Sequence, residues 1–527
     1  MSDLVQDLVL EAAQRWPQSE AIRYQQASIS YRQLADAVTS CCQTLLCAGL
    51  GRSERVAIYA EKRVETAVAL FAIATTGGVF VPVNPLLKAD QVAHILVDCD
   101  AAILITTAER LVLLIDVLPR TLRTIIVIGE SPRATAPDGI QIVAWNAGSS
   151  DDATPLAAHR VIDADMAAIL YTSGSTGKPK GVVLSHRNIV AGARSVAGYL
   201  RLDPGDRLLA VLPLSFDYGL NQLTSAFLVG ASVVLMNYLF PRDIVNLVCA
   251  EKITGLAAVP PLWIQLAQLQ WPATVSEHLR FITNSGGTLP TATLALLRRA
   301  LPGTTPYLMY GLTEAFRSTF LPPEELDGRP DSIGKAIPNA EVLVVREDGS
   351  LCEPNEPGEL VHRGALVSLG YWNDAERTTE RFRPFPGQDP GLPITEMAVW
   401  SGDTVRRDED GFLYFLGRRD EMIKTSGYRV GPAEIEEVVY GISGVGESVA
   451  IGVPHPVLGQ AIAVLVTPAG EAQLTAEVIK AECQRRLPSF MVPAHVEILL
   501  GSLPRNPNGK IDRKQLASQR QHIFENS

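Results

Sequence analysis

The stretch YTSGSTGKPKGVVLSH at residues 171–186 brings glycine, hydroxyl and lysine residues together between two apolar segments. Small residues of this kind add little to a hydrophobic core and lose conformational entropy when they become ordered. A glycine-rich turn can instead point backbone N–H groups at phosphate oxygens, while hydroxyls add donors and lysines neutralise charge. The stretch therefore predicts a phosphate-binding loop.

The spacing within this loop argues against two common nucleotide motifs. A Walker A sequence, GxxxxGK[ST], fails because Pro179 stands where the second glycine after Gly174 is required. The loop also lacks GxGxxG, so a Rossmann dinucleotide site is not indicated. A flexible Ser/Gly linker is the structural alternative for such a composition, but the two lysines and the further motifs described below argue against it.

The flanking sequence predicts an α/β fold. Up to about residue 320, short apolar runs (RVAIYA, AAILIT, TIIVIG, SVVLM, GLAAVP) alternate with longer helical patterns, as in βαβ units with buried parallel strands. From about residue 330, turn dipeptides such as Asp348-Gly349 and Asp410-Gly411 predict a small antiparallel β subdomain. We place a domain boundary near Asp420, which gives a large N-terminal domain, residues 1–419, and a small α+β C-terminal domain, residues 420–527.

Composition and charge exclude several classes of protein. The 527 residues carry a formal net charge of -11 without a long Lys/Arg block, which argues against a nucleic-acid partner or binding to an anionic membrane. The seven cysteines lack CxxC spacing, so neither a disulfide framework nor a zinc site is indicated. The N-terminus does not read as a secretory signal, and the apolar segment 67–83 is short and interrupted, so we expect no membrane span and a cytoplasmic location.

The loop TSGSTGKPKG resembles the signature of the AMP-forming adenylating superfamily, which includes acyl- and aryl-CoA ligases, firefly luciferase and adenylation domains of peptide synthetases. The resemblance covers nearly the whole chain, because further motifs occur in the expected order: VFVPVNP at 79–85, YGLTE at 310–314, GELVHRG at 358–364, SGDTVRRDEDGFLYFLGRRDEMIKTSGYRV at 401–430 and LPRNPNGKIDR at 503–513. The run MYGLTEAFRST is also similar to stand-alone bacterial acyl-CoA ligases associated with exosortase gene clusters.

The resemblance implies a reaction in two steps. A carboxylate first attacks the α-phosphorus of ATP with Mg²⁺ to give an acyl adenylate and pyrophosphate, and a phosphopantetheine thiol then displaces AMP. The acceptor is CoA or an acyl or peptidyl carrier protein. The resemblance further implies that the C-terminal domain is mobile and rotates between the two steps.

The resemblance assigns catalytic and nucleotide-binding roles to named residues. By this resemblance Lys510 bridges the substrate carboxylate, ribose and phosphate, and Glu314 helps to hold Mg²⁺. Asp403 and Arg418 contact the ribose hydroxyls, and Tyr310 stacks on adenine. Simple core packing is the alternative for Tyr310, and a surface ion pair for Asp403 with Arg418. The implied catalytic residues are Lys180, Thr313, Glu314 and Lys510; the implied nucleotide-binding residues are Thr172, Ser173, Gly174, Thr176, Gly177, Ser285, Gly286, Gly287, Tyr310, Asp403 and Arg418; Asp420 matches the hinge and Gly427 the thiol channel.

The segment LPLSFDYGLNQL at 212–223 indicates which class of carboxylic acid is the substrate. Amino-acid-activating members of the superfamily have Phe-Asp here, with the aspartate pairing the substrate ammonium, and this chain has Phe216-Asp217. The implied pocket is too polar for a long fatty acyl chain. It comprises Asp217, Tyr218, Asn221, Ala258, Ile282, Asn284, Met309, Arg317 and Ser318.

The resemblance favours an amino acid or another small polar acid and leaves alternatives open. The alternative to an ammonium-binding role for Asp217 is a structural role in a turn or as a helix cap. If Arg317 lies within a few ångströms of Asp217, the two charges satisfy each other and a simple short or medium acyl acid becomes the alternative; if they lie apart, Arg317 reads a second polar group. A luciferase-like oxygenase and a non-catalytic nucleotide-binding homologue are the other classes. The latter is expected to lose Lys180, Glu314 or Lys510, and all three are present.

Overall fold

The computed structural model describes residues 3–129, 139–145, 157–172, 179–419, 421–425, 428–455, 458–470, 472–506 and 509–524. Within these ranges the first part of the chain forms a sheet of seven strands in the order β7-β6-β5-β3-β4-β8-β9, in which neighbours are parallel except for β8 and β9. This part of the chain contains the strands β1 (Glu20–Tyr24), β2 (Ala27–Ser30), β3 (Arg55–Tyr59), β4 (Val79–Pro82), β5 (Ala101–Thr107), β6 (Thr124–Ile128), β7 (Gln141–Ala144), β8 (Met166–Thr172) and β9 (Lys180–Ser185), of which β1 and β2 belong to the second sheet. Its helices are α1 (Asp7–Arg15), α2 (Tyr31–Cys47), α3 (Val64–Thr76), α4 (Ala89–Asp98), α5 (Ala108–Leu114) and α6 (His186–Tyr199).

The middle of the chain, with β1 and β2, forms a second sheet. Its described strands number fourteen, with five helices in the same segment. The strands are β10 (Arg207–Ala210), β11 (Ser232–Leu235), β12 (Gly255–Ala258), β13 (Phe281–Asn284), β14 (Thr305–Tyr310), β15 (Thr319–Leu321), β16 (Ser332–Ala336), β17 (Ala340–Val345), β18 (Gly358–Gly364), β19 (Phe382–Pro384), β20 (Met397–Arg407) and β21 (Leu413–Arg418), and the helices are α7 (Asp217–Val229), α8 (Pro241–Ala250), α9 (Pro260–Ala267), α10 (Thr291–Ala300) and α11 (Ala375–Arg381).

This second sheet changes direction along its width. The strands β14-β13-β12-β10-β11-β1 are parallel neighbours. From β15 onward, through β16, β21, β20, β18 and β17, the neighbours are antiparallel. The predicted antiparallel subdomain is therefore present, and it continues the parallel layer edge to edge through β15 and β16.

The remaining described residues form a five-stranded sheet with helices. Its elements are β22 (Ile423–Thr425), β23 (Tyr428–Val430), α12 (Pro432–Tyr440), β24 (Val445–His455), β25 (Gly459–Pro468), α13 (Ala476–Arg486), β26 (His495–Ile498) and α14 (Arg513–Ser518). The last strand of the large sheet ends at Arg418 and the first of this sheet begins at Ile423. Asp420 lies outside the described residues, and the boundary there stays a prediction.

The predicted strand runs form strands of the two sheets. RVAIYA and TIIVIG contain β3 and β6, AAILIT covers all but the last residue of β5, and SVVLM and GLAAVP contain β11 and β12. The interrupted apolar segment behaves as its sequence indicates: α3 ends at Gly77, which adopts a φ of 83°, and β4 follows at Val79. Because a left-handed φ costs a non-glycine residue free energy, Gly77 provides the turn from helix to strand. The α/β expectation is confirmed.

A direct contact joins α12 to the large sheet's helices. Thr291, the first residue of α10, donates its backbone N–H to both carboxylate oxygens of Glu437, at 3.2 and 3.3 Å. Its hydroxyl also donates to Glu437. A carboxylate at the N-terminus of a helix satisfies free N–H groups and interacts favourably with the helix dipole. In this conformation the contact holds α12 against the N-terminus of α10.

We predict that Gly334 is essential to the junction between the parallel and antiparallel regions. It has a φ of +83°, and a Cβ added there would lie 1.8 Å from the carbonyl oxygen of Phe320 on β15. Gly349 has a similar φ of +89° but nothing within 4 Å of such a Cβ. Gly349→Ala should cost about 1–2 kcal/mol for the strained backbone alone, whereas Gly334→Ala should cost at least about 3 kcal/mol because backbone must also move. Chemical denaturation of both variants measures this difference, and equal losses would contradict it.

Candidate active site

Lys180, Glu314 and Tyr371 form a buried charged cluster between the two large sheets. Lys180 begins β9, and Glu314 lies in a single 3₁₀ turn, Thr313–Ala315, after β14. The Lys180 Nζ donates to the Glu314 Oε1 at 2.9 Å and to the Tyr371 hydroxyl at 2.7 Å. The Tyr371 hydroxyl in turn donates to the same Oε1 at 2.6 Å. The predicted residues Lys180 and Glu314 are thus direct partners.

Glu314 is ionised despite its burial. Burial alone would raise the pKa of this carboxyl, but the charge of Lys180 and the donated hydrogen bonds outweigh it and hold the pKa of Glu314 at about 2. Both donated hydrogen bonds fall on Oε1. A carboxylate whose second oxygen receives neither of these bonds suits Mg²⁺, which uses one or two carboxylates and takes its other ligands from phosphates and water. Within the described ranges, no three His, Cys, Asp or Glu side chains are grouped to hold a metal by themselves.

Tyr310, Asp403 and Arg418 form a second cluster within the large sheet. The Tyr310 hydroxyl donates to the Asp403 Oδ2 at 2.5 Å, and the Arg418 Nε lies 3.4 Å from the Asp403 Oδ1. Burial raises the pKa of Asp403 above its usual range, against the opposing effects of Arg418 and the Tyr310 hydroxyl. Arg418 is 44% exposed while Asp403 is buried. The cluster therefore offers a buried acceptor with a solvent-facing cation beside it.

Lys510 extends from a tight turn into a cleft beside Gly286, Asp217 and Asp403. Asn506 donates its N–H to the Lys510 carbonyl at 2.8 Å, and the Lys510 N–H donates to the Asn506 Oδ1 at 3.1 Å. The Lys510 Cε lies 3.7 Å from the point where a Cβ on Gly286 would stand. Enclosure of the ammonium and the positive charge of Arg418 lower the pKa of Lys510, while Asp217 and Asp403 oppose this. The residue as a whole retains exposed surface, so the protein groups that surround the ammonium do not seal it from solvent.

Ser285, Gly286 and Gly287 follow β13 at the carboxyl edge of the parallel strands. The adjacent strands β12, β13 and β14 end at Ala258, Asn284 and Tyr310, and ligands of open α/β sheets bind outside such an edge. Gly286 has a φ of +82°. Ser285 is buried beside it.

Asp217 and Arg317 form a buried ion pair. Asp217 begins α7, and its Oδ2 lies 3.5 Å from the Nη1 of Arg317, with both side chains under 5% exposed. Burial raises the pKa of Asp217, although the charges of Arg317 and then Lys510 oppose the rise. At this distance the charges of Asp217 and Arg317 compensate each other, as the sequence analysis expects for a close pair. The Arg317 Cζ also lies 4.7 Å from the centroid of the Tyr218 ring.

The other predicted pocket residues are all buried. Tyr218, Asn221 and Met309 line a cavity together with Val196, Leu200, Ser225 and Thr283. Ala258, Ile282 and Asn284 lie on the neighbouring strands β12 and β13, and Ser318 follows Arg317. Asn284 donates through Nδ2 to the Gly287 carbonyl, so its Oδ1 faces away and has no partner among the described residues.

Some predicted residues fall outside the structural description. These are Ser173, Gly174, Thr176 and Gly177 of the loop, with Asp420 and Gly427. Thr172, at the end of β8, is described, and its Oγ1 is buried without a hydrogen-bond partner in the described part of the chain. Thr313 is buried next to Glu314. An unpartnered buried hydroxyl where the loop begins is consistent with a ligand there.

The sequence reasoning missed two residues of the site. Tyr371 joins Lys180 to Glu314, and the only sequence signal for it was an aromatic pair, Tyr371-Trp372, in a segment without apolar alternation. His362 on β18 stacks on Tyr310, with ring centroids 6.0 Å apart and planes at 15°. Burial lowers the pKa of His362 to about 3, although Glu314 opposes this. Its signal was a histidine within an apolar strand run.

Comparison with known proteins agrees with this geometry. The family model for "AMP-binding enzyme" matches residues 9–372, and the model for "AMP-binding enzyme C-terminal domain" matches residues 434–510. Among the residues that the structure describes, no helix combines the length and hydropathy needed to cross a bilayer.

Relatives and solved structures extend the likeness over the whole chain. An L-proline–[L-prolyl-carrier protein] ligase of Pseudomonas fluorescens is 30% identical over 526 residues, covering 98% of this chain and 99% of that protein. Tyrocidine synthase 3 of Brevibacillus parabrevis is 30% identical over 519 residues, and the match spans 97% of this chain but only 8% of that protein. A crystal structure of the anthranilate CoA ligase AuaEII in complex with anthranoyl-AMP has a TM-score of 0.88 at 25% identity, covering 99% of this chain and 98% of the other.

The family models cover most of the chain, the relatives align along its length, and the fold matches that of an enzyme holding an acyl adenylate. The chain belongs to the AMP-binding enzyme family.

Proposed function

We propose that the protein activates a small polar carboxylic acid with ATP, releases pyrophosphate, and transfers the acyl group from AMP to a phosphopantetheine thiol. The observation that carries this proposal is the position of Lys510, whose ammonium enters the cleft beside Asp217, Asp403 and Gly286. A cation placed between an acid pocket and a nucleotide pocket is what joining a carboxylate to a phosphate requires. The convergence of Lys180 with Glu314 and the position of Lys510 argue against a non-catalytic homologue.

In the first step an oxygen of the acid attacks the α-phosphorus of ATP, and the bond to the bridging oxygen of pyrophosphate breaks. Negative charge moves onto the departing phosphates, so preorganised cations and donors supply most of the acceleration. In this proposal Lys510 holds the carboxylate against the α-phosphate. Lys180, Thr172 and the loop bind the departing phosphates. Asp403 accepts from the ribose hydroxyls, and Tyr310 covers the adenine.

Glu314 is the residue that would hold Mg²⁺. Lys180 and Tyr371 fix its orientation and keep it ionised. The ion, when bound, neutralises phosphate charge and favours departure of pyrophosphate.

In the second step the thiol attacks the acyl carbon, its proton is lost to solvent, and AMP leaves. The proposed domains, residues 1–419 and 420–527, turn about Asp420 between the two steps and bring Gly427 towards the thiol. The names of the relatives support both acceptors, because one is a carrier-protein ligase and another a CoA ligase. They also support a small acid, since proline and anthranilate are both compact. A cytoplasmic location, where ATP and CoA are available, goes with this proposal.

The products of the reaction test this function. With acid, thiol, ATP and Mg²⁺, the protein should form AMP and pyrophosphate in equal amounts and no ADP, and chelation by EDTA should stop the reaction because phosphate charge is no longer neutralised. Nucleotide chromatography gives the answer. ADP as the nucleotide product would contradict the proposal.

Replacement of Lys510 should separate the two steps. Lys510→Ala removes a charge partner of the transition state, so adenylate formation should fall by at least about 10²-fold. Thioester formation from a supplied acyl adenylate should persist. The matched control is Lys480→Ala, a lysine of the same domain whose Nζ donates to the Ala494 carbonyl, and it should leave both rates within about twofold. An equal loss of both steps in Lys510→Ala would show that Lys510 is structural.

A further inference from the structure

Arg317 has more hydrogen-bond donors than Asp217 can use. The ion pair involves Nη1, while Nε and Nη2 are buried and have no hydrogen-bond partner among the described residues. The Tyr218 ring below the guanidinium attracts its charge but does not accept these in-plane N–H groups. Buried guanidinium donors without partners are unfavourable, and a site that contains them is expected to bind a group that accepts from them.

The backbone beside Arg317 is strained in a way that keeps the guanidinium in place. Phe316 is fully buried and has a φ of 41°, a conformation that large side chains rarely adopt. The Phe316 ring packs over Gly192, where an added Cβ would lie 2.4 Å from a ring carbon. Strain of this kind persists where the surrounding structure holds it and is concentrated at functional sites. The turn thus directs Arg317 towards Asp217 and the cavity-lining Tyr218.

Other polar atoms of the predicted pocket point to the same need for a ligand. The Oγ of Ser318, the Nδ2 of Asn221 and the Oδ1 of Asn284 are also buried without partners in the described part of the chain. Asn221 lines the cavity with Tyr218 and Met309. The Oε1 of Gln222, which also lines the cavity, is a second buried acceptor without a partner among the described residues. The two guanidinium nitrogens, Ser318 and Asn221 can donate, so donors still outnumber these two acceptors.

The charges of the pocket do not favour an additional cation. Arg317 balances Asp217, and Lys510 remains to meet the carboxylate that reacts. The other buried carboxylates have their own cations, since Glu314 pairs with Lys180 and Asp403 with Arg418. An α-ammonium on the substrate would add positive charge beside the guanidinium, which burial makes costly.

We propose that Arg317 selects an acid that carries an oxygen acceptor, such as a keto, hydroxyl or carboxylate oxygen, on the carbons next to the reacting carboxyl group, in preference to an α-amino acid. This inference rests on the proposed function and names its substrate class. Nε and Nη2 of Arg317 donate to that oxygen. Asp217 acts through Arg317 as a positioning residue.

A panel of acids with the same chain length tests the proposal. Butanoate, 2-aminobutanoate, 2-hydroxybutanoate, 2-oxobutanoate and 3-oxobutanoate are compared by kcat/KM in ATP–pyrophosphate exchange and by Kd in calorimetry without ATP. At least one oxygen-bearing acid should exceed both butanoate and 2-aminobutanoate by about 10- to 100-fold, the scale of hydrogen bonds to a charged donor. A preference for butanoate or 2-aminobutanoate would overturn the proposal.

Two substitutions locate the preference at the guanidinium. Arg317→Lys keeps a positive charge beside Asp217 but removes the forked donors, so the kcat/KM advantage of the oxygen-bearing acid over butanoate should fall to less than about threefold. Arg299→Met, at an exposed arginine of α10, should leave the whole panel unchanged. Retention of the preference in Arg317→Lys would contradict the assignment.

Asp217→Asn separates the two interpretations of the aspartate. If Asp217 positions Arg317, the oxygen-bearing acid should lose affinity, whereas a loss confined to 2-aminobutanoate would overturn the proposal. Failure of every acid to support pyrophosphate exchange would refute the proposed function, and the calorimetric Kd values would then still decide between the acid classes.

Discussion

Compensation of buried charge is the constraint on which this site depends. Glu314, Asp403 and Asp217 are all buried, and each lies beside a cation from a different part of the chain. A buried carboxylate that lost its partner would carry a desolvation penalty of several kcal/mol. The seven-stranded sheet must therefore dock on the large sheet before Glu314 can ionise at low cost, since Lys180 belongs to β9. Formation of the site is coupled in this way to the packing of the two sheets.

The elements that could be predicted are those in which local pattern and tertiary environment agree. The apolar runs that became β3, β5, β6, β11 and β12 are short and bounded by turn residues, and burial on both faces is what such runs predict. The helix that breaks at Gly77 was visible because glycine is the residue that adopts its backbone angle. The antiparallel region was visible in its turn dipeptides, but its edge-to-edge junction with the parallel layer was not. That junction depends on Gly334 approaching Phe320, a contact that no local pattern reports.

The site was predictable in its residues and unpredictable in its pairings. Motif resemblance singled out Lys180 and Glu314 separately, but they are 134 positions apart, and Tyr371 is 191 positions from Lys180. For Asp217 and Arg317 the sequence allowed either a close pair or two independent groups, because it contains no information on their separation. The distance of 3.5 Å decides between these, and it shifts attention from the aspartate to the donors that remain on the arginine. His362 escaped notice because a histidine in an apolar strand has no partner that a sequence pattern could indicate.

The continuity of the large sheet has a consequence for how such a protein can diverge. Tyr310 ends β14, and Asp403 and Arg418 lie on β20 and β21, so strand pairing through β15 and β16 sets their separations. Strand spacing is about 4.8 Å and varies little with side chains. The acid pocket instead draws Asp217 and Arg317 from the start of a helix and a strained turn, where single substitutions act directly. A lineage can therefore gain specificity for a different acid substrate by point mutation, while the residues that face adenosine are inherited unchanged.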